Sequence, residues 1–249
     1  MHDTTIIITG AAGIIGAATA KLLYLRGFNV VLVDQAPYKL EALAASLPGC
    51  SVHAIDITDA SALEDLINLY SESLYGIVLA AGIEGQVAEI DVCDDQEFER
   101  VMQINVMSVF LGLKHGLRIL KAKQQGTIVA LASTSGMLGV PKLAPYCASK
   151  HAVLGLVKSA AREAARYGVR VNAVCPGPVS STMMQRIDST LLGQDPSRFG
   201  GATNAARSIP MQRYATPQEI ANAIAFLCSK DSEFCTGTSL TIDGGLTCR

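Results

Sequence analysis

The sequence predicts an α/β fold in which a doubly wound, seven-stranded parallel sheet carries helices on both faces. Short apolar runs alternate with helical segments along the 249-residue chain, and this alternation is typical of such folds. The runs are apolar almost throughout, as expected for parallel strands that are buried on both faces. Right-handed crossovers then give the doubly wound topology. No linker or repeat divides the chain, so residues 1–249 are expected to form a single domain.

The first half of the chain predicts four strands and three helices. The signals are short apolar runs for the strands and apolar residues at helical spacing for the helices. Asp59 is placed to cap the third helix. The strands are predicted at 4–9, 29–34, 51–56 and 76–82, and the helices at 14–27, 40–47 and 59–70.

The second half predicts three more strands, three helices and one irregular segment. Residues 180–215 are polar, rich in Gly, Ser and Met, and follow no clean period. That segment is too long for an ordinary connection, so we predict a substrate-binding loop or lid. The strands are predicted at 126–133, 169–177 and 239–245, and the helices at 95–123, 143–167 and 217–229. The apolar side chains that would face a substrate, or simply pack the lid onto the body, are Met183, Met184, Ile187, Leu191, Leu192 and Phe199.

Composition excludes several classes of protein. Apolar residues make up 49% of the chain and charged residues 17%, which indicates a large core rather than disorder. A formal net charge of −2 gives no basis for binding nucleic acid or an anionic membrane. No apolar stretch is long enough to span a bilayer and the N-terminus lacks a signal peptide's features, so a cytoplasmic protein is expected. Seven scattered cysteines and four histidines show no ligand spacing, which predicts reduced thiols and no metal site.

A glycine-rich turn, "TGAAGIIG" (9–16), lies between the first strand and the first helix. In this context the glycines allow a sharp turn and close approach of a pyrophosphate, to which the helix offers free N–H groups. The alternative is a turn that serves packing alone. The candidate cofactor-binding residues of the turn are Gly10, Gly13, Ile14, Ile15 and Gly16.

Asp34 ends the second strand, eighteen residues after Gly16. A carboxylate there can accept hydrogen bonds from the ribose hydroxyls and would repel a 2′-phosphate. The next residue is Gln35 rather than Arg or Lys. We therefore predict NAD in preference to NADP, the alternative being a solvated acid at a strand end.

Tyr146 and Lys150 stand four residues apart in "YCASK" and would share one helix face. A nearby ammonium lowers the pKa of a phenol from about 10, which makes it a general acid or base. Ser133 ends the fifth strand and Asn105 lies in a mostly apolar helix, where an amide needs a partner. The alternatives are a surface pair for Tyr146 and Lys150, a strand-end cap for Ser133 and a structural amide for Asn105.

With these residues the chain resembles the short-chain dehydrogenase/reductase family over essentially its whole length. The resemblance implies a Rossmann-like fold and an oxidoreductase that transfers a hydride between NAD and a secondary alcohol or ketone. The matching stretches are "TGAAGIIG", Asp34, "DIT" (56–58), "AAG" (80–82), "INV" (104–106), Ser133, "YCASK" (146–150), "NAVCPGPV" (172–179) and "TGTSLTIDGG" (236–245).

The resemblance also implies a role for each catalytic residue. Tyr146 would exchange a proton with the substrate oxygen, while Lys150 would hold the nicotinamide ribose and lower the pKa of Tyr146. Ser133 would hydrogen-bond the substrate oxygen, and Asn105 would anchor a water that links Lys150 to solvent. Further cofactor contacts are implied for Asp56 and Ile57 near the adenine, for Ala81 and Gly82, for Pro176, Gly177 and Val179 near the nicotinamide, and for Ser181 or Thr182.

Two positions depart from the family pattern. The short branch usually has T-G-x-x-x-G-x-G, but position 14 is Ile and Gly13 gives T-G-x-x-G-x-x-G instead. We interpret this as a local variation of the turn. Ala80 replaces an amide that commonly braces the adenine-ribose side of the site, which bears on cofactor affinity.

The family also implies assembly, and it leaves two rival functions open. The long helices at 95–123 and 143–167 would pair between subunits to give a homotetramer or a homodimer; burial within one subunit is the alternative. One rival is a 3-oxoacyl-(acyl-carrier-protein) reductase, which usually prefers NADP. The other is a non-catalytic dinucleotide sensor, because a fold alone does not prove catalysis.

Overall fold

The computed structural model describes residues 4–194 and 205–248. Seven parallel strands form one sheet in the order β3-β2-β1-β4-β5-β6-β7. The order reverses at β1, so the chain winds outward on each side of the β1–β4 junction. The strands are β1 (Thr5–Thr9), β2 (Asn29–Asp34), β3 (Ser51–Ala54), β4 (Leu74–Leu79), β5 (Gly126–Leu131), β6 (Val169–Pro176) and β7 (Ser239–Ile242). The predicted fold class is confirmed.

Helices cover both faces of the sheet, and each face has its own core. Ile6 and Ile8 of β1 point into the core shared with α1, α2 and α8, whereas Ile7 points into the core shared with α3, α5 and α6. Because side chains alternate along a strand, a strand covered on both faces must be apolar throughout. The helices are α1 (Ile14–Leu25), α2 (Pro37–Ala44), α3 (Ala60–Leu69), α4 (Asp95–Met102), α5 (Ser108–Lys123), α6 (Ala144–Ala164), α7 (Thr182–Gln194) and α8 (Pro217–Cys228).

Two segments differ from the sequence prediction in ways that matter for the site. The expected single helix at 95–123 is interrupted by one π-helical turn, Gln103–Met107, between α4 and α5. The segment expected to be irregular contains α7, whose first turn is capped by Ser181 Oγ accepting a hydrogen bond from the Met184 N–H at 3.0 Å. Polar residues lie between the apolar residues of α7 and hide their helical spacing, so the sequence predicts no helix there.

Among the helices in the described part of the chain, none combines the length and the apolar character that crossing a bilayer requires.

Candidate active site and dinucleotide-binding turn

The glycine-rich turn is packed so tightly that side chains are excluded at two positions. Gly10 has φ of +69°, and a Cβ there would lie 2.6 Å from the backbone nitrogen of Ala81. A Cβ on Gly16 would overlap the carbonyl oxygen of Gly10. α1 begins at Ile14 without a side-chain cap, so its first N–H groups remain available to an anion. The donors and the cradle fit the pyrophosphate of a dinucleotide.

The departure at positions 13 and 14 has a local structural basis. Gly13 has φ of −74° and ψ of 157° as the N-cap of α1, a conformation open to any residue. A Cβ on Gly13 would nevertheless lie 3.2 Å from the Gly10 carbonyl oxygen. Ile14 is 40% exposed, and Ile15 packs against the sheet. The turn therefore accommodates Ile14 by leaving its side chain partly in solvent.

Asp34 lies directly beside the turn. Its Oδ2 accepts a hydrogen bond from the Ala12 N–H at 3.1 Å, and its Oδ1 accepts one from the Ala36 N–H at 3.2 Å. Each carboxylate oxygen can accept a further bond, so Asp34 can also receive ribose hydroxyls. It is only partly buried, and Gln35 beside it is exposed.

The predicted adenine-side residues follow β3 and β4. Asp56 Oδ1 accepts bonds from the N–H and the hydroxyl of Thr58, at 2.8 and 2.7 Å. These bonds, with a further one from Gln35, hold the pKa of Asp56 below its usual value. Ile57 is buried in the core. Ala80 is one of the two positions that depart from the family pattern. Its N–H donates to the Thr9 carbonyl at 3.3 Å, so a backbone hydrogen bond holds the end of β4 in place.

Tyr146 and Lys150 lie on the same face of α6, as predicted. The Lys150 Nζ is 5.5 Å from the centroid of the Tyr146 ring and donates to the Leu131 carbonyl at 2.8 Å. The Ser133 hydroxyl, beyond the end of β5, lies close enough to the Tyr146 phenol to act on its pKa. Ser133 Oγ also accepts the Ser135 N–H at 3.1 Å, so a short turn fixes its position.

Burial sets the pKa values of this pair. It raises the pKa of Tyr146 to about 12, although the hydrogen bond from Ser133 acts in the opposite direction. It lowers the pKa of Lys150 to about 8. Lowering of this pKa by Lys150 stays a prediction, because burial is the largest influence on the phenol and raises its pKa. Tyr146 carries its proton at neutral pH.

Asn105 is fully buried within the π-helical turn. Its Oδ1 accepts the Ile83 N–H at 2.8 Å, while its Nδ2 donates to the Ile83 carbonyl at 2.8 Å and to Ser149 Oγ at 3.0 Å. A Cβ on Gly82 would lie 3.2 Å from Asn105 Oδ1 and 3.4 Å from Lys150 Nζ. The amide thus clamps the loop after β4 against α6, beside Lys150. These contacts agree with the alternative in which Asn105 is a structural amide. The water that Asn105 would anchor stays a prediction.

The loop after β6 runs between the sheet edge and the lid. The Gly177 N–H donates to the Ile242 carbonyl at 3.0 Å, and a Cβ on Gly177 would lie 2.9 Å from Cα of Asp243. Pro176 ends β6, and Val179 forms an isolated bridge with Ala215. The nicotinamide-loop residues are therefore held by β7 and by the segment before α8.

The lid helix α7 lies over the candidate acid–base residue. Ile187 forms a buried cluster with Leu143 and Cys147, and Tyr146 packs against it together with Met183, Met184 and Leu191. The side chains of Leu192 and Phe199 lie outside the described residues. Where the structure describes them, the apolar residues predicted for the lid thus pack on the same cluster as Tyr146.

The sequence analysis did not predict a charged pair between α7 and the loop after β4. Arg186 Nε on α7 lies 2.6 Å from Oε1 of Glu84, in the loop after β4. A second polar contact lies within the 180–215 segment, where the Tyr214 hydroxyl donates to Asp188 Oδ2 at 2.7 Å. The only signal for Glu84 was an acid in "GIEG", directly after a buried strand.

A parallel sheet with a glycine turn after its first strand, and a Tyr–Lys pair beside the same edge, define the class of dinucleotide-binding α/β proteins. A sequence model of the family described as enoyl-(acyl carrier protein) reductase matches residues 10–247. The 2-(S)-hydroxypropyl-CoM dehydrogenase 3 of Xanthobacter autotrophicus is 36% identical over 99% of this chain and 98% of that protein. A 3-oxoacyl-(acyl-carrier-protein) reductase of Rickettsia bellii is 34% identical over 99% of this chain and 98% of that protein.

Solved structures agree with these relatives. NAD⁺-bound xylitol dehydrogenase superposes with a TM-score of 0.92 and 31% identity, over 98% of this chain and 99% of that one. ElxO with NADP bound gives a TM-score of 0.88 and 28% identity, over 99% of both chains. The chain therefore belongs to the short-chain dehydrogenase/reductase family of nicotinamide-dependent oxidoreductases.

Proposed function

We propose that this chain is an NAD(H)-dependent oxidoreductase that interconverts a secondary alcohol and a ketone. The observation that carries the proposal is the convergence of three side chains under the lid. Ser133 lies close enough to the Tyr146 phenol to act on its pKa, and Lys150 Nζ lies 5.5 Å from the Tyr146 ring. In the same proposal residues 1–249 form one domain, with 180–215 as its substrate-binding segment.

The preference for NAD rests on Asp34. Its carboxylate stands beside the turn and retains acceptor capacity for two ribose hydroxyls. A 2′-phosphate would meet this charge with Gln35, not a cation, next to it. The two solved neighbours hold different nucleotides, NAD⁺ in one and NADP in the other, so the assignment depends on this chain's own residues.

Side chains of this protein would transfer the proton, while the nicotinamide ring supplies or accepts the hydride when the cofactor is bound. In reduction, the protonated Tyr146 donates its proton to the carbonyl oxygen, and Ser133 donates a hydrogen bond to the same oxygen. In oxidation, Tyr146 first releases its own proton, and the phenolate oxygen then takes the proton of the alcohol. Lys150 is buried against the Leu131 carbonyl at 2.8 Å, where it stabilises negative charge on Tyr146. Asn105 holds the neighbouring loop.

A 3-oxoacyl-(acyl-carrier-protein) reductase is the second candidate. The matching family description and the Rickettsia relative favour it. Asp34 and the net charge of −2 weigh against it, because that role usually uses NADP and needs a basic surface for its acidic carrier.

The proposed assembly is a homotetramer or homodimer in the cytoplasm. Phe98 of α4, Phe110 of α5 and Met107 between them are 45%, 44% and 41% exposed. Apolar side chains of this size on adjoining helices favour pairing with a second copy. Sedimentation showing a monomer at micromolar concentration would contradict it.

The test is a panel of secondary alcohols, ketones and acyl thioesters, followed by NADH and NADPH absorbance. We expect turnover with NAD(H), and Asp34→Ala should narrow the difference in kcat/KM between the two cofactors. Tyr146→Phe should abolish turnover while leaving NADH binding intact. An intact wild type that binds NADH but turns over no member of the panel would contradict the proposal and favour a sensor.

A further inference from the structure

Three successive residues of α7 tie this helix to three different stretches of the chain. Arg186 Nε donates to Glu84 Oε1, in the loop after β4, at 2.6 Å. Ile187 is buried in an apolar cluster with residues at the start of α6. Asp188 Oδ2 accepts a hydrogen bond from the Tyr214 hydroxyl at 2.7 Å. Successive side chains on a helix point about 100° apart, so α7 is held from three directions.

The middle tie places α7 beside the acid–base residue. Tyr146 packs against the cluster that Ile187 forms with Leu143 and Cys147. A substrate that exchanges a proton with Tyr146 has to reach its phenol. The position of α7 therefore determines how much room a substrate or a product finds there.

The charged tie joins α7 to a fixed part of the fold. The bond between Asp188 and Tyr214 lies within the 180–215 segment, whereas Glu84 belongs to the loop after β4. The residue before Glu84 is Ile83, whose N–H and carbonyl both bond to Asn105 at 2.8 Å. Movement of α7 away from this loop therefore has to separate Arg186 from Glu84.

The two members of the pair differ in burial, and this sets how firmly they hold. The Glu84 side chain is 11% exposed and the Arg186 side chain 62% exposed. When the pair separates, water solvates Arg186 readily, but Glu84 loses a hydrogen-bond donor in a buried place, which costs free energy. An exposed ion pair contributes little and a buried one is hard to break. This pair lies between those limits, so it resists opening and still permits it.

We propose that the ion pair between Glu84 and Arg186 is a latch that holds α7 closed over Tyr146, and that its separation limits the rate at which product leaves the site. The inference rests on the proposed alcohol–ketone oxidoreductase function and concerns the regulation of that same site. Lid opening, not chemistry, limits turnover in many enzymes. Because one member is exposed, salt screens the pair and makes the opening faster.

The experiment measures steady-state kcat and KM, and the first turnover by stopped-flow NADH absorbance, with NAD and the best alcohol of the panel. In the wild type we expect a rapid burst of NADH followed by slower turnover. Glu84→Gln and Arg186→Met should each raise kcat and KM by about three- to tenfold and reduce the burst. The double variant should differ from either single variant by less than about twofold, because both changes break the same interaction.

Two further variants and a salt series serve as controls. Glu89→Gln removes an exposed carboxylate of the same loop, whose partner Lys142 is 3.8 Å away and lies outside α7; it should keep the kcat, KM and burst of the wild type. Arg186→Lys keeps the charge and should stay closer to the wild type than Arg186→Met. Raising NaCl from about 50 to about 500 mM should increase kcat in the wild type and in Glu89→Gln, but not in Glu84→Gln.

The outcomes separate the latch from the function on which it rests. Hydrogen exchange of residues 182–191 should be faster in Glu84→Gln and Arg186→Met than in the wild type, with the rest of the chain unchanged. If the pair only stabilises the fold, the first turnover and kcat will fall together and exchange will be faster throughout, which overturns the latch. Wild-type turnover without a burst, or with a kcat that salt does not change, also overturns it and leaves the oxidoreductase function standing. No turnover of any panel member overturns that function and, with it, the control of turnover by the latch.

Discussion

Replacing Gly16 by alanine is the sharpest test of the glycine turn. The added methyl group would overlap the Gly10 carbonyl oxygen and lie 2.9 Å from Cα of Ala11. Both are backbone atoms, so the turn itself would have to move. Overpacking of this kind costs about 1–3 kcal/mol, and a chain of this size loses about 2–4 °C in Tm per kcal/mol. We therefore expect Tm to fall by about 2–12 °C.

The assay combines thermal unfolding with NADH binding. The chain has no tryptophan, so the fluorescence of NADH itself reports binding over a low background. Gly16→Ala should weaken NADH binding by about tenfold or more, because the N–H groups that begin α1 would be displaced. Gly13→Ala, with its methyl group 3.2 Å from the Gly10 carbonyl oxygen, should have a smaller effect. Gly139→Ala, with no atom within 4 Å, should leave Tm unchanged.

Two results would refute this reasoning in different ways. If Gly16→Ala has the Tm and the NADH affinity of the wild type, then the turn is not packed too closely for a side chain at position 16. A lowered Tm with unchanged NADH affinity would show that the turn serves packing and does not hold the cofactor.

Two further predictions follow from the buried titratable groups. Because burial raises the pKa of Tyr146 to about 12, tyrosinate absorbance of the protein without nucleotide should match that of Tyr146→Phe up to about pH 10; an extra ionisation in the wild type below that pH would contradict it. Burial also lowers the pKa of His115, on which Glu64, Lys114 and Arg118 act, from 6.5. The folded state then favours neutral His115, so its contribution to stability is complete above about pH 6.5 and is lost as the pH falls. In urea unfolding, His115→Leu should flatten the decrease in stability as the pH falls below about 6.5, and an unchanged slope would rule this out.

The sheet could be predicted from the sequence because its signal is local. Ile6, Ile7 and Ile8 are all fully buried, and a run apolar at every position is what burial on both faces requires. Asp59 was recognised as a cap from its position, and its Oδ1 accepts the N–H groups of Ser61 and Ala62 at 2.9 and 3.1 Å. Such signals depend on neighbours within one turn of the chain.

The interrupted helix and the charged pair could not be predicted, because they depend on distant contacts. The π-helical turn places Asn105 against Ile83, twenty-two residues away. Glu84 and Arg186 are 102 residues apart, and neither has a partner that the local sequence would indicate. The raised pKa of Tyr146 also depends on distant contacts. α6 places Lys150 near its ring, but Tyr146 packs against a cluster that includes Ile187 of α7, and burial raises its pKa.

The loop after β4 contacts Asn105, Lys150 and the lid, and so links these parts of the site. Its backbone at Ile83 is bonded on both sides to Asn105, which also bonds to Ser149 on the helix that carries Tyr146 and Lys150. Gly82 on one side of the clamp adjoins Lys150, and Glu84 on the other side binds the lid. A single amide therefore ties the loop after β4 to the helix that carries Tyr146 and Lys150. An unbroken α-helix through 103–107 would rotate Asn105 to a different direction and lose these bonds, which gives the π-helical turn a structural reason.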